Sequence, residues 1–241
     1  MDEYNKEEKY SEPNKKHKKW WRNLLITIFV LFLSFLTSLI FYVTYQVKNI
    51  LEEGTNASYY MDSDKVYNAE GDSYNFAIGS ENPKVKIIVF EDFSCPHCRK
   101  FYKTLQKTNF IYHDDVKIIF RNFTSVNEQS INYALAAQCS GEQNMFILMH
   151  DTIFQKQEDE GFADVYTVAE QIGLDTEKFR QCIEKKKYMP RIRKDYVDGQ
   201  KLGIQGTPTA FINGHKISGN IPYDDFKKVI EYFLNNSDNK N

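Results

Sequence analysis

Residues 85–98 read VKIIVFEDFSCPHC. Val85–Phe90 is an apolar run of strand length interrupted only by Lys86, and the Asn82–Pro83 pair just before it supplies a turn. At the other end, Pro96 stands where a helix begins, because its fixed φ suits the first turn and its missing N–H is not needed there. Phe101 and Leu105 continue a helical apolar spacing. Cys95 and Cys98 therefore fall at a strand-to-helix junction. A thiol at a helix N-terminus meets unpaired N–H groups and the positive end of the dipole, both of which favour its anion. A neighbouring histidine, here His97, lowers a thiol pKa further. Cys98, one turn on, faces inward beside Cys95. Such a pair closes into a disulfide, and a reduced form stabilised as a thiolate makes that disulfide a strong oxidant.

Working outward, Val116–Phe120 is a second apolar strand, so strand, helix and strand make a βαβ unit. From about 127 to 203 the pattern is helical throughout: Ile131, Leu135 and Cys139 share one spacing, and Phe179, Cys182 and Ile183 another. Asp175 is placed to cap a helix. Thr209–Ile212 and Lys216–Ser218 flank Asn213–Gly214, a hairpin signal, and an amphipathic helix follows over 223–234. The expected order is βαβ, a helical insertion, then ββα.

The 241 residues carry 31 Lys+Arg against 33 Asp+Glu, a formal charge of −2, which gives no reason to expect nucleic acid as a partner. With 41% hydrophobic and 15% aromatic residues the chain is too apolar to be disordered, and 4 Cys are too few for a disulfide-held miniature scaffold. The N-terminal fifth differs from the rest. Asn23–Val47 is 25 residues without a charge, preceded by Lys15, Lys16, Lys18, Lys19 and Arg22 and followed by Lys48, then Glu52 and Glu53. About 20 apolar residues span a bilayer as a helix, and the basic flank belongs in the cytoplasm. A cleaved signal would have a shorter apolar region ending in small residues, yet the first Ala is Ala57. The expected layout is a cytoplasmic basic N-terminus over 1–22, a transmembrane signal anchor over 23–47 and a stalk over 48–73. A compact extracytoplasmic domain over 74–235, with its insertion at 127–203, and a polar tail over 236–241 complete it. That orientation puts all four cysteines in an oxidising compartment.

CPHC after an apolar strand, with Gly206–Thr207–Pro208–Thr209 before a later one, resembles the DsbA-like thiol:disulfide oxidoreductases of the thioredoxin superfamily. FEDFSCPHC, AAQCSGEQNMFILMHDTIF and LGIQGTPTAFINGHKISG carry the likeness, which covers roughly 76–233. The resemblance implies an α/β thioredoxin-like fold with an inserted helical domain. It implies that Cys95 is the exposed nucleophile, that Cys98 resolves the mixed disulfide, and that Pro96 and His97 tune the potential. It also implies a cis-proline loop at Pro208, with the backbone of Thr207 pairing with an extended substrate. Many relatives place a buried acid six residues before the first cysteine, where this chain has Val89. Glu91 projects from the same strand face and is the candidate proton relay, set against a plain solvated carboxylate at a strand end. Asp92 fits the pattern of a DsbA-like subgroup.

Cys139 and Cys182 read either as two buried thiols or as a structural disulfide, the even count and oxidising compartment favouring the bond. Neither a second CxxC nor an HxxxH accompanies the motif, so no metal is expected, and Arg99 excludes covalent haem attachment; no cofactor is implied. His113 and His150 read as structural or surface residues, and His215 as part of the hairpin turn. Three functions are open. The first is a membrane-anchored oxidase, acting on exported cysteine-containing proteins and reoxidised by a quinone-linked partner in a bacterial plasma membrane. The second is a reductase or isomerase kept reduced by a membrane partner. The third is a peptide-binding adaptor, which would need neither thiol.

Overall fold

The computed structural model describes residues 15–53, 57–61, 65–72 and 74–237; the N-terminal basic residues before Lys15 and the tail after Ser237 lie outside them. Two units divide the chain, Met1–Gly54 and Thr55–Asn241. In the first, α1 runs Lys15–Glu53, longer at both ends than the apolar run suggested. Within it, Lys19–Lys48 is long and apolar enough to cross a membrane. Leu31, Phe35 and Phe41 are exposed, so this is no amphipathic stripe covering a core.

The second unit is built on a five-stranded sheet in the order β1-β3-β2-β4-β5. Its strands are β1 (Ala77–Gly79), β2 (Val85–Glu91), β3 (Val116–Asn122), β4 (Thr209–Ile212) and β5 (His215–Ser218). β2 and β3 are parallel, Val85 beside Val116 through Glu91 beside Asn122, and every other pairing is antiparallel. The middles of β2 and β3 read as near-continuous apolar runs because both of their faces are covered. Val85, Ile87 and Val89 pack with Val116, Ile118 and Phe120 under α3 (Pro96–Tyr112) and α9 (Tyr223–Ser237), where Phe101 meets Phe226 edge to face. Ile88, Phe90, Ile119 and Phe211 form a smaller core on the opposite face. The Asn213–Gly214 turn has positive φ at both residues, 46° and 87°, as a tight hairpin requires. His215 is the first residue of β5 rather than part of the turn, and its ring lies against Phe233.

Residues 57–61, with the one-turn helix α2 (Ala57–Tyr60), and 65–72 fall in the stretch read as a stalk, yet they pack on the domain. Ala69 is buried in the smaller core, Val66 bridges to His215, and Tyr60 Oη donates to Asp225 at 2.8 Å. Polar side chains hid this, because the contacts are made by a few residues without periodicity.

The insertion is five helices: α4 (Glu128–Ser140), α5 (Phe146–Asp159), α6 (Val165–Gln171), α7 (Thr176–Glu184) and α8 (Met189–Lys201). Asn127 and Ser130 cap α4 reciprocally, and Asp175 caps α7 through the Lys178 N–H. Cys139 on α4 and Cys182 on α7 are joined in a disulfide that closes 43 residues. A loop of that size contributes about 3–4 kcal/mol in a chain-entropy account. Replacing both residues by Ala is therefore expected to lower unfolding stability by about 2–4 kcal/mol, read from denaturant titration, while leaving exchange at Cys95 intact. An unchanged midpoint would show that the bond stores no stability.

Candidate active site

β2 delivers the chain to the active-site helix through a turn held by Asp92, which is fully buried. Its carboxylate accepts the N–H groups of Ser94 (2.8 Å), Ser125 (2.7 Å) and Val126 (2.9 Å), and its carbonyl accepts the Cys95 N–H at 2.9 Å. Ser94 Oγ donates to Asn127 Oδ1 at 3.0 Å, which ties the turn to the start of α4. Cys95 is the N-cap of α3 in extended conformation, with Pro96 at the first helical position. Pro96 and His97 are exposed, whereas Cys98 lies on the buried face with Phe101, Tyr102 and Leu105.

Both active-site cysteines are free thiols. Cys95, expected to be exposed, keeps only 6% of its surface open, because the loop before β4 closes over it. Its Sγ lies 3.2 Å from Thr207 O, and the Thr207–Pro208 peptide is cis. The loop is held by Thr209 Oγ1 donating to Gly206 O and the Gly219 N–H donating to Pro208 O, each at 2.8 Å. Cys95, Pro96, His97, Cys98, Thr207 and Pro208 thus meet at one place, while Cys139 and Cys182 lie apart in the insertion.

The two thiols are electrostatically unequal. The Cys95 pKa is lowered from 9.0 to about 5, chiefly by the Cys98 thiol donating to its sulfur, against burial; the Thr207 side chain and the N–H groups of Cys98 and His97 add to the effect. The contact to Thr207 O serves only the protonated form and so works the other way. Cys98 is raised well above 9.0 by burial, by its bond to Cys95 and by the charges of Cys95 and Glu91, with the Asp92 N–H at 3.4 Å opposing. A lowered folded pKa stabilises the reduced fold fully above about pH 9, and that contribution is gone once pH falls below about 5. Alkylation of Cys95 is expected to follow a single titration centred near pH 5, read by mass spectrometry at short times. A midpoint near 9 would contradict the assignment.

Glu91 is not a solvated carboxylate. It is 4% exposed and accepts from His150 Nε2 at 2.8 Å, while Asp151 Oδ1 accepts from His150 Nδ1 at 2.7 Å. His150, also buried, is the residue that sequence reading passed over. Phe146, Met149, Ile153 and Phe154 lie on the same face of α5, and a lone histidine among them looks structural. Burial alone would lower its pKa; the charge of Glu91 and hydrogen bonds to Asp151 and Glu91 outweigh it and raise the value to about 9. Cavities of about 330 and 370 Å³ lie elsewhere, around Tyr67 and Asn213 and around Gln138 and Arg191.

The chain belongs to the thioredoxin family, whose model matches residues 72–232. Fold and site together define a DsbA-type thiol:disulfide oxidoreductase. The chain is 29% identical over 167 residues to a protein of Bacillus anthracis named "Probable disulfide bond formation protein D", covering 64% of this chain and 76% of that one. It is 28% identical over 150 residues to a Na(+)/H(+) antiporter of Mycobacterium sp. (strain KMS), covering 61% of this chain but only 24% of the antiporter. The crystal structure of oxidised BdbD from Bacillus subtilis superposes with a TM-score of 0.63 at 24% identity, over 71% of this chain and 100% of that one, a likeness of fold.

Proposed function

We propose that this chain is a membrane-anchored oxidase that donates the Cys95–Cys98 disulfide to exported cysteine-containing proteins. The observation that carries the reading is the pKa difference between Cys95 and Cys98. At pH 7 a shift from 9.0 to about 5 raises the thiolate fraction of Cys95 by about a hundredfold. With a Brønsted coefficient of about 0.4–0.5, nucleophilicity falls by nearly as much. The shift therefore gains little for attack. Its gain is in leaving: a substrate thiolate attacking the Cys95–substrate disulfide expels an already stable Cys95 thiolate.

The cycle balances as follows. A substrate thiolate attacks Cys95 Sγ, the Cys95–Cys98 bond breaks, and Cys98 takes up a proton. A second substrate thiolate then attacks its own sulfur in the mixed disulfide, forming the substrate disulfide and releasing Cys95 thiolate. The two electrons leave when Cys95 and Cys98 are reoxidised by a membrane partner, for which a quinone-linked oxidase has the appropriate chemistry. Thr207, beside Cys95, supplies backbone for an extended substrate segment. Helix α1, with Lys19 and Arg22 at its N-terminal end, supports single-pass anchoring in a bacterial plasma membrane with the catalytic domain outside.

A Cys98→Ala chain in intact cells tests this reading. Exported proteins should accumulate on Cys95 as reductant-sensitive mixed disulfides, and a membrane-impermeant thiol reagent should reach Cys95 from outside. Absence of any trapped protein would favour the peptide-binding reading, and labelling only after lysis would reverse the topology.

A further inference from the structure

The cavity of about 370 Å³ is walled by the start of α8, by Gln138 of α4 and by Asp72, Tyr74 and Asn75. That volume is of small-ligand size. None of its lining residues belongs to the active site, and Gln138 stands near the end of α4 opposite Asn127, the residue bonded to the active-site turn. Most of the polar wall is already matched. The Asp195 carboxylate accepts from Arg121, Asn122 and Asn75. Asp72 accepts the Tyr74 N–H at 3.0 Å and faces Lys194 at 3.4 Å, and Lys194 is itself bonded to Asp198 at 2.7 Å. Two groups are left over. Gln138 is 2% exposed, yet its Oε1 accepts no hydrogen bond among the described residues. A buried acceptor without a donor is uncommon, because its lost hydration is not replaced. The Arg191 guanidinium lies over the rings of Tyr74 and Tyr188, 4.3 and 4.7 Å from their centroids, and makes no ion pair among the described residues. Glu142, whose charge it feels, is held by Lys187 at 2.8 Å.

We propose that this cavity binds a small carboxylate with an N–H or O–H donor on the neighbouring carbon, the chemistry of an acylated amino acid or of a peptide's last residue. The carboxylate pairs with Arg191, and the adjacent donor satisfies Gln138 Oε1. A planar guanidinium matches a carboxylate through two parallel hydrogen bonds, and stacking on aromatic rings holds it ready for them. Tyr74 and Pro190 supply apolar wall for the rest of the ligand. The donor set is wrong for a metal cation: the two carboxylates of the wall are engaged by Arg121 and Lys194, and Arg191 adds a further positive charge. A dianion such as phosphate would face Asp72 and Asp195 with one unpaired cation to offset it. The site uses no sulfur chemistry, so it stands or falls independently of the oxidase reading.

Calorimetric titration of the full chain in detergent with N-acetylalanine tests the proposal. Saturable binding is expected, and two control probes each remove one feature: N-acetylalanine amide lacks the anion, and isobutyrate lacks the donor. Each should bind about tenfold more weakly, the weight of one well-made polar contact. Arg191→Gln should erase the preference for N-acetylalanine over its amide. Gln138→Leu, an apolar replacement of similar size, should erase the preference over isobutyrate while keeping the parent denaturant midpoint. Bound N-acetylalanine should slow hydrogen exchange in residues 189–194 and leave 95–101 unchanged, in the reduced and the oxidised chain alike. A tripeptide ending in alanine separates the two sources: affinity equal to that of N-acetylalanine assigns the site to chain ends, and much weaker affinity assigns it to free small acids. No saturation by N-acetylalanine up to about 20 mM, beyond the reach of a millimolar ligand, would overturn the proposal. Equal affinity for all three probes, or unchanged preferences in both folded variants, would do the same. So would calcium chloride slowing exchange in 189–194 where N-acetylalanine does not.

Discussion

A Cys95→Ser chain is expected to lose all disulfide transfer to a dithiol peptide, falling to the uncatalysed rate; Cys98→Ser loses it as well, but its Cys95 still forms one mixed disulfide with a disulfide-bearing partner and stops there. The two failures differ because the two sulfurs differ. Cys95 sits over the N-terminus of α3, with its pKa near 5, and keeps the larger exposed surface of the pair to offer a partner, 6%. Cys98 is 1% exposed and held as a thiol, so it reacts only with the sulfur beside it. Without Cys98, a mixed disulfide at Cys95 has no internal thiol to expel it and persists until external reductant arrives. Mass spectrometry after incubation with a glutathione disulfide should find one adduct on Cys98→Ser and none on Cys95→Ser. An adduct on Cys98 in the Cys95→Ser chain would mean the helix start is open in a way the structure excludes.

The second large effect is on stability. Replacing Arg121 by Met should cost about 3–5 kcal/mol, the range for leaving one partner of a buried ion pair alone. Arg121 is 3% exposed, donates through Nε to Asp195 at 2.7 Å and through its terminal nitrogens to Asp198 at 2.6 Å and to Glu70 O at 2.9 Å, and lies over the Phe90 ring. Asp195 also accepts from the N–H and Nδ2 of Asn122, so one carboxylate locks α8 onto the end of β3. Arg121→Met leaves that buried carboxylate without its cation. The double change Arg121→Met with Asp195→Leu should recover part of the loss, because no charge is left unpaired. Denaturant midpoints of the two chains decide it: equal losses would mean that the network's polar contacts, not the stranded charge, set the cost.

Much of this was readable from residue order. The apolar run 85–90 announced a strand covered on both faces, Pro96 announced the helix, and Asn213–Gly214 announced the hairpin. These are local signals, each written in one or two neighbouring residues. β1 went unread because Ala77–Gly79 is three residues with one half-buried side chain, and its place is set by pairing with β3. Glu91 and His150 are 59 positions apart, and a carboxylate at a strand end looks alike in sequence whether water or an imidazole faces it. Arg121 and Asp195, 74 apart, were silent for the same reason: inside a strand and a helix their charges suggest solvent-facing positions until the fold brings them together.

The central claim is that the reduced site is stabilised as the Cys95 thiolate and that its disulfide is accordingly a donor. Equilibrating the full chain with glutathione buffers, and counting free thiols at 95 and 98 separately from the 139–182 bond, tests it most directly. A potential less negative than about −180 mV at pH 7 is predicted, on the oxidising side of the glutathione range. It should become more oxidising relative to an ordinary dithiol as pH rises from about 5 toward 9. A potential at or below about −270 mV, the value of a general reductant, would contradict the account.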